Sequence, residues 1–187
     1  MIRALALVGC VSFAACQTPL RPVTDYDPSV DFSVFETFSW IDPNPLVQAT
    51  TQRPLSPLVE QRLMSAARAK LTRRGFRFVE EPLDADLVVA FTIGSREGIR
   101  ITSYPTRSFR RGRRGRGHTW RGYWPTSSVR TRQYTEGQLA IDLFDVERAR
   151  PIWHGTVSQR VTQRDRNAPD ETIRTVVEAI LGRFPPG

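Results

Sequence analysis

Two stretches in which apolar residues alternate with other residues constrain the fold of this chain most. They are "ADLVVAFTIGS", residues 85–95, and "YTEGQLAIDLFDV", residues 134–146. Successive side chains of a strand point to opposite faces, so each stretch has one side suited to a core and one suited to water. The pattern predicts an antiparallel sheet with one solvated face. Its inward residues are Leu87, Val89, Phe91, Ile93, Leu139, Ile141 and Leu143.

Shorter patterns predict the remaining elements. Strand composition recurs at residues 23–26, 37–41, 76–79 and 151–161, whereas residues 42–57 hold four prolines and are predicted to form a loop. Ser56 and Pro57 fit the start of a helix, and Gly75 fits its end. A last helix follows Pro169 and carries a one-sided apolar stripe. The stripe consists of Ile173, Val176, Val177, Ile180, Leu181 and Phe184.

The order of these elements predicts the fold class. It reads β-β-α-β-β, an insert, and then β-β-α, which is typical of an α+β domain in which strands and helices form separate layers. We therefore expect a two-layer sandwich, with an antiparallel sheet and two helices packed on one of its faces. The 187-residue chain is long enough for one such domain with a sizeable core.

The insert between the two central strands holds all of the excess charge. Residues 99–135 contain ten of the 27 basic residues and no Asp or Glu, which leaves 17 basic residues against 19 acidic ones elsewhere. The rest of the chain is therefore near neutral, and residues 99–135 are predicted to form a basic hairpin insert.

The residue types of the insert suggest an anionic ligand. Guanidinium groups pair with phosphates, and aromatic rings stack on bases or settle at lipid headgroups. A solvated, disordered loop without a ligand is the alternative reading, and a nucleic-acid binder is another. The candidate binding residues are Arg110, Arg111, Arg113, Arg114, Arg116, Arg121, Trp120, Tyr123 and Trp124.

The N-terminus "MIRALALVGCVSFAAC" predicts where in the cell the protein is located. Arg3 precedes an apolar run that has the length of a signal peptide and is too short to span a bilayer. "FAAC" resembles a bacterial lipobox, so Cys16 is the predicted lipidated residue. The alternatives are Cys10, which has a shorter apolar run before it, and an ordinary secretory peptide. Gln17 stands where an aspartate would favour retention in the inner membrane, so we expect an outer-membrane lipoprotein that faces the periplasm.

These features predict the domain organisation. Residues 1–15 form a lipoprotein signal peptide, residues 16–22 a lipid-anchored tether, and residues 23–185 one domain that contains the insert. In a Gram-negative envelope, nucleic acid is an unlikely partner for the insert. Anionic phospholipid, lipopolysaccharide and peptidoglycan are all abundant there, and any of them could be its ligand.

Five motifs in order resemble one known family. They are "DYDPSVDFSVFETFSW", "DADLVVAFTIG", "YTEGQLAIDLFD", "PIWHGTV" and "FPPG". Together they resemble the bacterial lipoprotein domain of unknown function 4136, over roughly residues 23–185. The resemblance implies a small lipid-anchored α+β domain in a Gram-negative envelope, with no established activity, cofactor or catalytic residue. Arginine enrichment of the variable central stretch departs from what is usual in the family.

Metal-binding patterns are weak. Asp25, Asp27, Asp31 and Glu36 fall near the spacing of a calcium-binding EF-hand loop, but Val30 stands where that loop needs glycine. A turn capped by aspartate side chains is the preferred reading. The chain has two histidines and no cysteine besides the two near its N-terminus, so a zinc site is improbable. No cofactor is predicted.

Catalytic patterns are also sparse, and the protein is predicted not to be an enzyme. Asp142 should face the solvated side of the sheet with Thr92, Thr156 and Ser158, which could form a shallow polar site. His154 is expected on the same outward side. The predicted function is an envelope binding or scaffolding module. The alternatives are a hydrolase of an envelope polymer, which would use Asp142 and Ser158, and a nucleic-acid binder. The protein partner and the ligand stay open.

Overall fold

Seven strands form one open mixed sheet, and helices cover one of its faces. The computed structural model describes residues 20–49, 55–114 and 118–186, with the backbone alone for residues 100–114 and 118–130. The strands are β1 Val23–Tyr26, β2 Thr37–Trp40, β3 Leu46–Gln48, β4 Arg77–Phe78, β5 Leu87–Arg114, β6 His118–Asp145 and β7 Arg150–Val161. The helices are α1 Leu58–Arg73, α2 Gln163–Asn167 and α3 Pro169–Leu181, with short 3-10 turns at Phe32–Val34 and Pro82–Asp84.

The sheet has the order β1-β7-β6-β5-β2-β4, and β3 also pairs with β5. The four strands β1, β7, β6 and β5 are antiparallel neighbours, as the alternation predicts. However, β2 runs parallel to both β4 and β5, and β3 runs parallel to β5. The expectation of a wholly antiparallel sheet is therefore wrong on this side. The reason is that α1 lies between these strands in the chain, and a helical crossover joins parallel strands.

The expectation of a loop over residues 42–57 is also corrected, because β3 lies within it. Phe91 N–H donates to the Pro45 carbonyl at 2.9 Å, and Ala49 N–H donates to the Ile93 carbonyl at 2.9 Å. Proline lacks the N–H that a ladder needs, but its carbonyl can still accept. The prolines therefore flank an edge strand without preventing it.

The helices and the inward strand residues share one core. Val177, Ile180 and Leu181 of α3 and Leu63, Ala67 and Leu71 of α1 are buried against the sheet residues that the alternation places inward. Ile173 is partly buried in the same cluster. The α+β class and the predicted burial of α3 on the sheet are thus confirmed. The sheet contributes Phe38, Leu87, Val89, Phe91, Leu139, Ile141, Leu143, Trp153 and Val157.

Close packing of α3 on β7 requires a glycine at residue 155. A Cβ atom placed on Gly155 would overlap the Trp153 ring and would lie 2.7 Å from Ile180 Cγ2. Such a contact is too short for carbon atoms, so any side chain here would push the helix or the indole away. This glycine therefore sets how closely the helix layer approaches the sheet.

One carboxylate ties the starts of β2 and β5 together. Asp86 accepts hydrogen bonds of 2.8 Å from the N–H groups of Glu36 and Thr37 and from the Thr37 hydroxyl. In return, the Asp86 N–H donates to the Thr37 hydroxyl at 2.9 Å. Burial acts to raise the pKa of Asp86, but these hydrogen bonds outweigh it, so the pKa lies below its ordinary value. The parallel pair is thereby fixed in register at its first residues.

Candidate functional site

Strands β5 and β6 continue far beyond the rest of the sheet. Their pairing runs from Leu87 opposite Asp145 to Arg114 opposite His118. The neighbouring strands end earlier, since β7 stops at Val161 opposite Thr135 and β3 stops at Gln48 beside Ile93. Residues 98–114 and 118–134 therefore form a two-stranded extension, which we call the ribbon. At about 3.3 Å per residue, it is roughly 55 Å long.

The predicted binding residues fall at the far end of the ribbon. All of those in the described backbone lie within seven consecutive residue pairs, from Ser108 opposite Trp124 to Arg114 opposite His118. The strand register places Arg111 opposite Arg121, and Gly112 opposite Trp120. Two predicted residues, Arg116 and the lipidation candidate Cys16, lie outside the described residues. The pairs contain Arg110, Arg111, Arg113 and Arg114 on β5, and Trp120, Arg121, Tyr123 and Trp124 on β6.

Side-chain contacts hold the two strands together where the ribbon begins. The Tyr134 ring lies against Gly98 on the opposite strand, where a Cβ atom would overlap it. The Arg160 guanidinium lies over the same ring, 4.1 Å from the centre of Tyr134. Such cation–π contacts contribute about 0.5–1 kcal/mol at exposed positions. No sequence pattern reveals this cluster, because the pairing of Gly98 with Tyr134 depends on the strand register.

Two further pairs occupy the neighbouring positions at the base of the ribbon. Arg96 and Glu136 are joined at 2.7 Å, and the Thr135 hydroxyl donates to Glu97 at 2.8 Å. The charges of Arg96 and Glu136 offset each other locally. The unbalanced positive charge of residues 99–135 therefore lies farther out along the ribbon.

The two ends of β5 differ in charge. Exposed Glu80, Glu81 and Asp84 stand just before β5 begins, whereas the arginine-rich ribbon forms the other end of this strand. A surface of one charge therefore attracts one end of this strand and repels the other. The arrangement can bind an extended anionic surface through many point contacts.

The sheet face that the helices leave uncovered carries a carboxylate–histidine pair. Asp142 Oδ1 and His154 Nδ1 are 2.6 Å apart, and the two side chains are 25% and 45% exposed. The strand register places Asp25 beside His154 on the next strand. The Thr156 hydroxyl donates to the Leu139 carbonyl, and Ser158 is exposed. The outward placement of Asp142 and His154 is confirmed, but Asp142 pairs with His154 and not with Ser158.

The acidic residues near the N-terminus form turns, as preferred over a calcium loop. Asp27 accepts from the Ser29 N–H at 2.9 Å and Asp31 accepts from the Ser33 N–H at 3.0 Å. Hydrogen bonds from these serine hydroxyl and N–H groups lower the pKa of both carboxyls. Within residues 20–49, 55–114 and 118–186, no three His, Cys, Asp or Glu side chains are grouped so that they could hold a metal ion.

A shallow groove of about 500 Å³ separates α1 from α3 on the outer side of the helix layer. Arg62 and Asp170 bridge it at 2.5 Å, and Arg73 and Glu178 bridge it at 2.8 Å. Its floor is lined by small residues such as Ser65, Ala66 and Ala69. The two ion pairs link the helices to each other, so the groove is best explained by helix packing.

The family follows from a match over nearly all of the described chain. The family model called Domain of unknown function (DUF4136) matches residues 22–186. The chain belongs to this family. The resemblance inferred from its motifs is therefore confirmed. Among the helices that the structure describes, none combines the length and apolar character needed to cross a membrane.

A solved structure of the same family supports the fold, and two further structures show a weaker likeness. A DUF4136 family protein from Bacteroides thetaiotaomicron is 9% identical with a TM-score of 0.52, and the match covers 87% of this chain and 95% of that one. The PelC dodecamer from Paraburkholderia phytofirmans is 12% identical with a TM-score of 0.48, over 87% and 95% of the two chains. A PDZ domain protein from Parabacteroides distasonis is 15% identical with a TM-score of 0.47. That match covers 89% of this chain and 35% of the PDZ domain protein, so this chain spans about a third of its length. Among curated proteins, none matches this chain.

Proposed function

We propose that this protein is a non-enzymatic envelope lipoprotein whose basic ribbon binds an anionic surface of the cell envelope. The ligands considered are anionic phospholipid, lipopolysaccharide and peptidoglycan. The observation that carries the proposal is the continuous pairing of β5 and β6 beyond the other strands that the structure describes. This pairing holds an acid-free, arginine-rich segment outside the core, where a large surface can meet it.

The energetics favour a surface over a small ligand. Each arginine near an anionic membrane contributes about 1 kcal/mol, so several together bind firmly while no single one is essential. Contacts of this kind weaken as salt rises, because the Debye length is about 8 Å at 0.15 M ionic strength. The proposed lipid anchor at Cys16 would keep the ribbon close to such a surface.

The first experiment tests the ribbon. The mature chain with Cys16→Ser, which carries no lipid, is sedimented with phosphatidylcholine vesicles with and without phosphatidylglycerol. We expect at least tenfold tighter binding to the anionic vesicles at 0.05 M salt, and most of it lost at 0.5 M. Parallel samples contain purified peptidoglycan, lipopolysaccharide or duplex DNA. The proposal would be refuted if the chain bound neutral and anionic vesicles equally and bound neither peptidoglycan nor lipopolysaccharide.

Two variants separate charge from the presence of the ribbon. The strand register places Ser103 opposite Val129, so residues 104–128 can be replaced by an Asn-Gly turn without shifting the pairs that remain. The second variant keeps the full length and changes the seven arginines of that segment to glutamine. Both variants should lose binding, whereas Lys70→Gln on α1 should not. The seven are Arg107, Arg110, Arg111, Arg113, Arg114, Arg116 and Arg121.

The second experiment tests the anchor. Cells that express the wild type, Cys16→Ser or Cys10→Ser are labelled with a radioactive or clickable fatty acid. We expect the label to disappear in Cys16→Ser and to persist in Cys10→Ser, because only Cys16 follows an apolar run of adequate length. Full labelling of the Cys16 variant would contradict the anchor. Separation of the membranes should then find the wild type in the outer-membrane fraction.

A hydrolase of an envelope polymer is the second candidate, and the Asp142–His154 pair is the observation in its favour. A carboxylate that orients a histidine is one part of a general base system. However, in the part of the chain that the structure describes, neither Thr156 nor Ser158 donates its hydroxyl to this histidine. Release of soluble fragments from peptidoglycan by the wild type, lost in Asp142→Asn, would favour this candidate.

A further inference from the structure

We propose that the ribbon lies along the phospholipid leaflet that holds the lipid anchor and does not reach across to the cell wall. This inference rests on the proposed function, because it takes both the anchor at Cys16 and the anionic ligand from it. It reduces the possible ligands to one chemical class, the phosphate groups of phospholipids in the anchoring leaflet. Three features of the fold support it: the direction of β1, the contact of Leu20, and the charge of the two ends of β5.

The first feature is the direction in which the chain enters the sheet. Strand β1 runs antiparallel to β7, with Val23 opposite Thr156 and Tyr26 opposite Trp153. Because β7 ends at Val161, where the ribbon begins, Val23 is the β1 residue nearest to the ribbon. About 16 Å of strand separates Thr156 from Val161. The tether therefore joins the domain from the side of the sheet on which the ribbon leaves it.

The second feature is the contact of Leu20, which shortens the tether. Leu20 is partly buried and packs against the core cluster, although it precedes β1 by three residues. Only three residues then lie between Leu20 and Cys16, and the four Cα–Cα steps from Cys16 to Leu20 span at most about 14 Å when fully extended. Without this contact, the seven Cα–Cα steps from Cys16 to Val23 could span about 25 Å. The packed domain is therefore held close to the leaflet.

These lengths restrict the position of the ribbon. It is roughly 55 Å long, about four times the free tether, and it starts on the side from which the tether emerges. It cannot point straight at the bilayer, since the domain would then stand farther away than the tether allows. It can lie along the leaflet, or it can bend away toward the periplasm.

The third feature, charge, decides between these two positions. An anionic leaflet attracts the arginine-rich ribbon and repels exposed Glu80, Glu81 and Asp84 near the start of β5. A ribbon that lies along the leaflet brings its arginines to the phosphates, whereas a ribbon that bends away toward the periplasm does not. The aromatic residues of the ribbon are also of the kind that settle at headgroup depth.

The experiment measures which end of β5 touches the membrane. The full-length lipidated protein is reconstituted into vesicles that contain phosphatidylglycerol and a phospholipid with a nitroxide on its headgroup. A fluorophore is attached to a single introduced cysteine, either Ser108→Cys in the ribbon or the matched Glu81→Cys before β5. Nitroxide quenches only fluorophores close to it. We expect quenching at residue 108 to exceed that at residue 81 at least threefold.

A longer tether provides the control for geometry. Twenty Gly and Ser residues inserted between Gln17 and Thr18 have a root-mean-square span of about 25 Å. With the native tether, quenching at residue 108 should persist at 0.5 M salt, because the anchor holds the ribbon at a high effective concentration. With the long tether, it should fall at least twofold when salt is raised from 0.05 M to 0.5 M.

The outcomes distinguish this inference from the proposed function. Quenching at residue 81 that equals or exceeds that at residue 108 would overturn the inference. So would absent quenching at residue 108 while the unlipidated chain still binds anionic vesicles or peptidoglycan, and the proposed function would then stand. If the unlipidated chain binds no anionic surface at all, both are overturned.

Discussion

The same two strands serve two different purposes along their length. From Leu87 to Phe91, β5 has buried alternate residues, neighbours on both sides and two helices beneath it. Beyond Gly98, β6 is its one partner among the described strands, and its sequence changes from alternating apolar residues to arginine, glycine and aromatic residues. The backbone pairing is continuous along β5, but the interactions that stabilise it are not the same in both halves. The first half is stabilised by burial, and the second half depends on the first for its register.

The packed half should respond most strongly to an unpaired buried charge. Val177 is fully buried in α3, so Val177→Asp places a carboxylate in the core without a partner. We expect a loss of about 4 kcal/mol in the free energy of unfolding, or failure to fold. Chemical denaturation measures it. The matched control is Thr175→Asp at an exposed position of the same helix, which should change stability by less than about 0.5 kcal/mol.

A single methyl group at residue 155 should give the next largest effect. Gly155→Ala would overlap the Trp153 ring and crowd Ile180, so one layer must move. The expected loss is about 2–3 kcal/mol, which is typical of an overpacked core. Gly137→Ala is the control, because its Cβ would meet only Val161 Cγ2, at 3.1 Å. Comparable losses in both variants would show that glycine matters here for another reason than the approach of α3.

Removal of the Asp86 charge should cost less and should depend on pH. Asp86→Asn weakens the hydrogen bonds to the N–H groups of Glu36 and Thr37, so we expect a loss of about 2 kcal/mol at pH 7. The pKa of Asp86 is lower in the folded protein than the ordinary value of about 3.9. Its contribution is therefore complete above that value and is lost as pH falls through the folded pKa.

Denaturation curves at pH 7 and pH 3 measure this dependence. The difference between wild type and Asp86→Asn should shrink at pH 3. Asp84→Asn, an exposed neighbour, should behave like the wild type at both pH values. A difference that stayed constant with pH would show that the charge of Asp86 contributes nothing to stability.

The smallest effect on stability should come from the largest change in sequence. Replacement of residues 104–128 by an Asn-Gly turn removes pairs that contact no other strand in the part of the chain that the structure describes. We expect a change below about 1 kcal/mol in the free energy of unfolding, because the core and the contacts at the base of the ribbon remain. Loss of folding would mean that the ribbon is structural and that the contrast between the two halves is wrong.

Periodicity predicted those parts of the fold in which one face of an element is buried. The inward residues of β5 and β6 and the stripe of α3 are examples. The parallel direction of β2 could not be read this way, because alternation reports which face is buried and not which way a neighbour runs. β3 was missed because its prolines outweighed three residues of strand. α2 begins at a capping box formed by Thr162 and Asp165, a signal that the sequence does contain.

The candidate site divides in the same way. A count of basic and acidic residues along the sequence was enough to locate the basic insert, since composition is visible without a structure. The Asp142–His154 pair and the placement of Tyr134 on Gly98 both join residues on different strands. They could be found only once the register was known. The direction of β1 relative to the ribbon likewise depends on the order of the strands, which no local pattern contains.

The uncovered edges of the ribbon could pair with strands of other chains and cause aggregation, and its arginines oppose this. Beyond Gln48 and Val161, neither described edge of the ribbon is covered by another strand. Uncovered edges offer their N–H and carbonyl groups to any passing chain, which is how sheets join into aggregates. Ten like charges on every copy oppose this joining, so the arginines act as gatekeepers of solubility whatever surface they bind. The arginine-to-glutamine variant should therefore precipitate or form fibres at concentrations at which the wild type stays in solution.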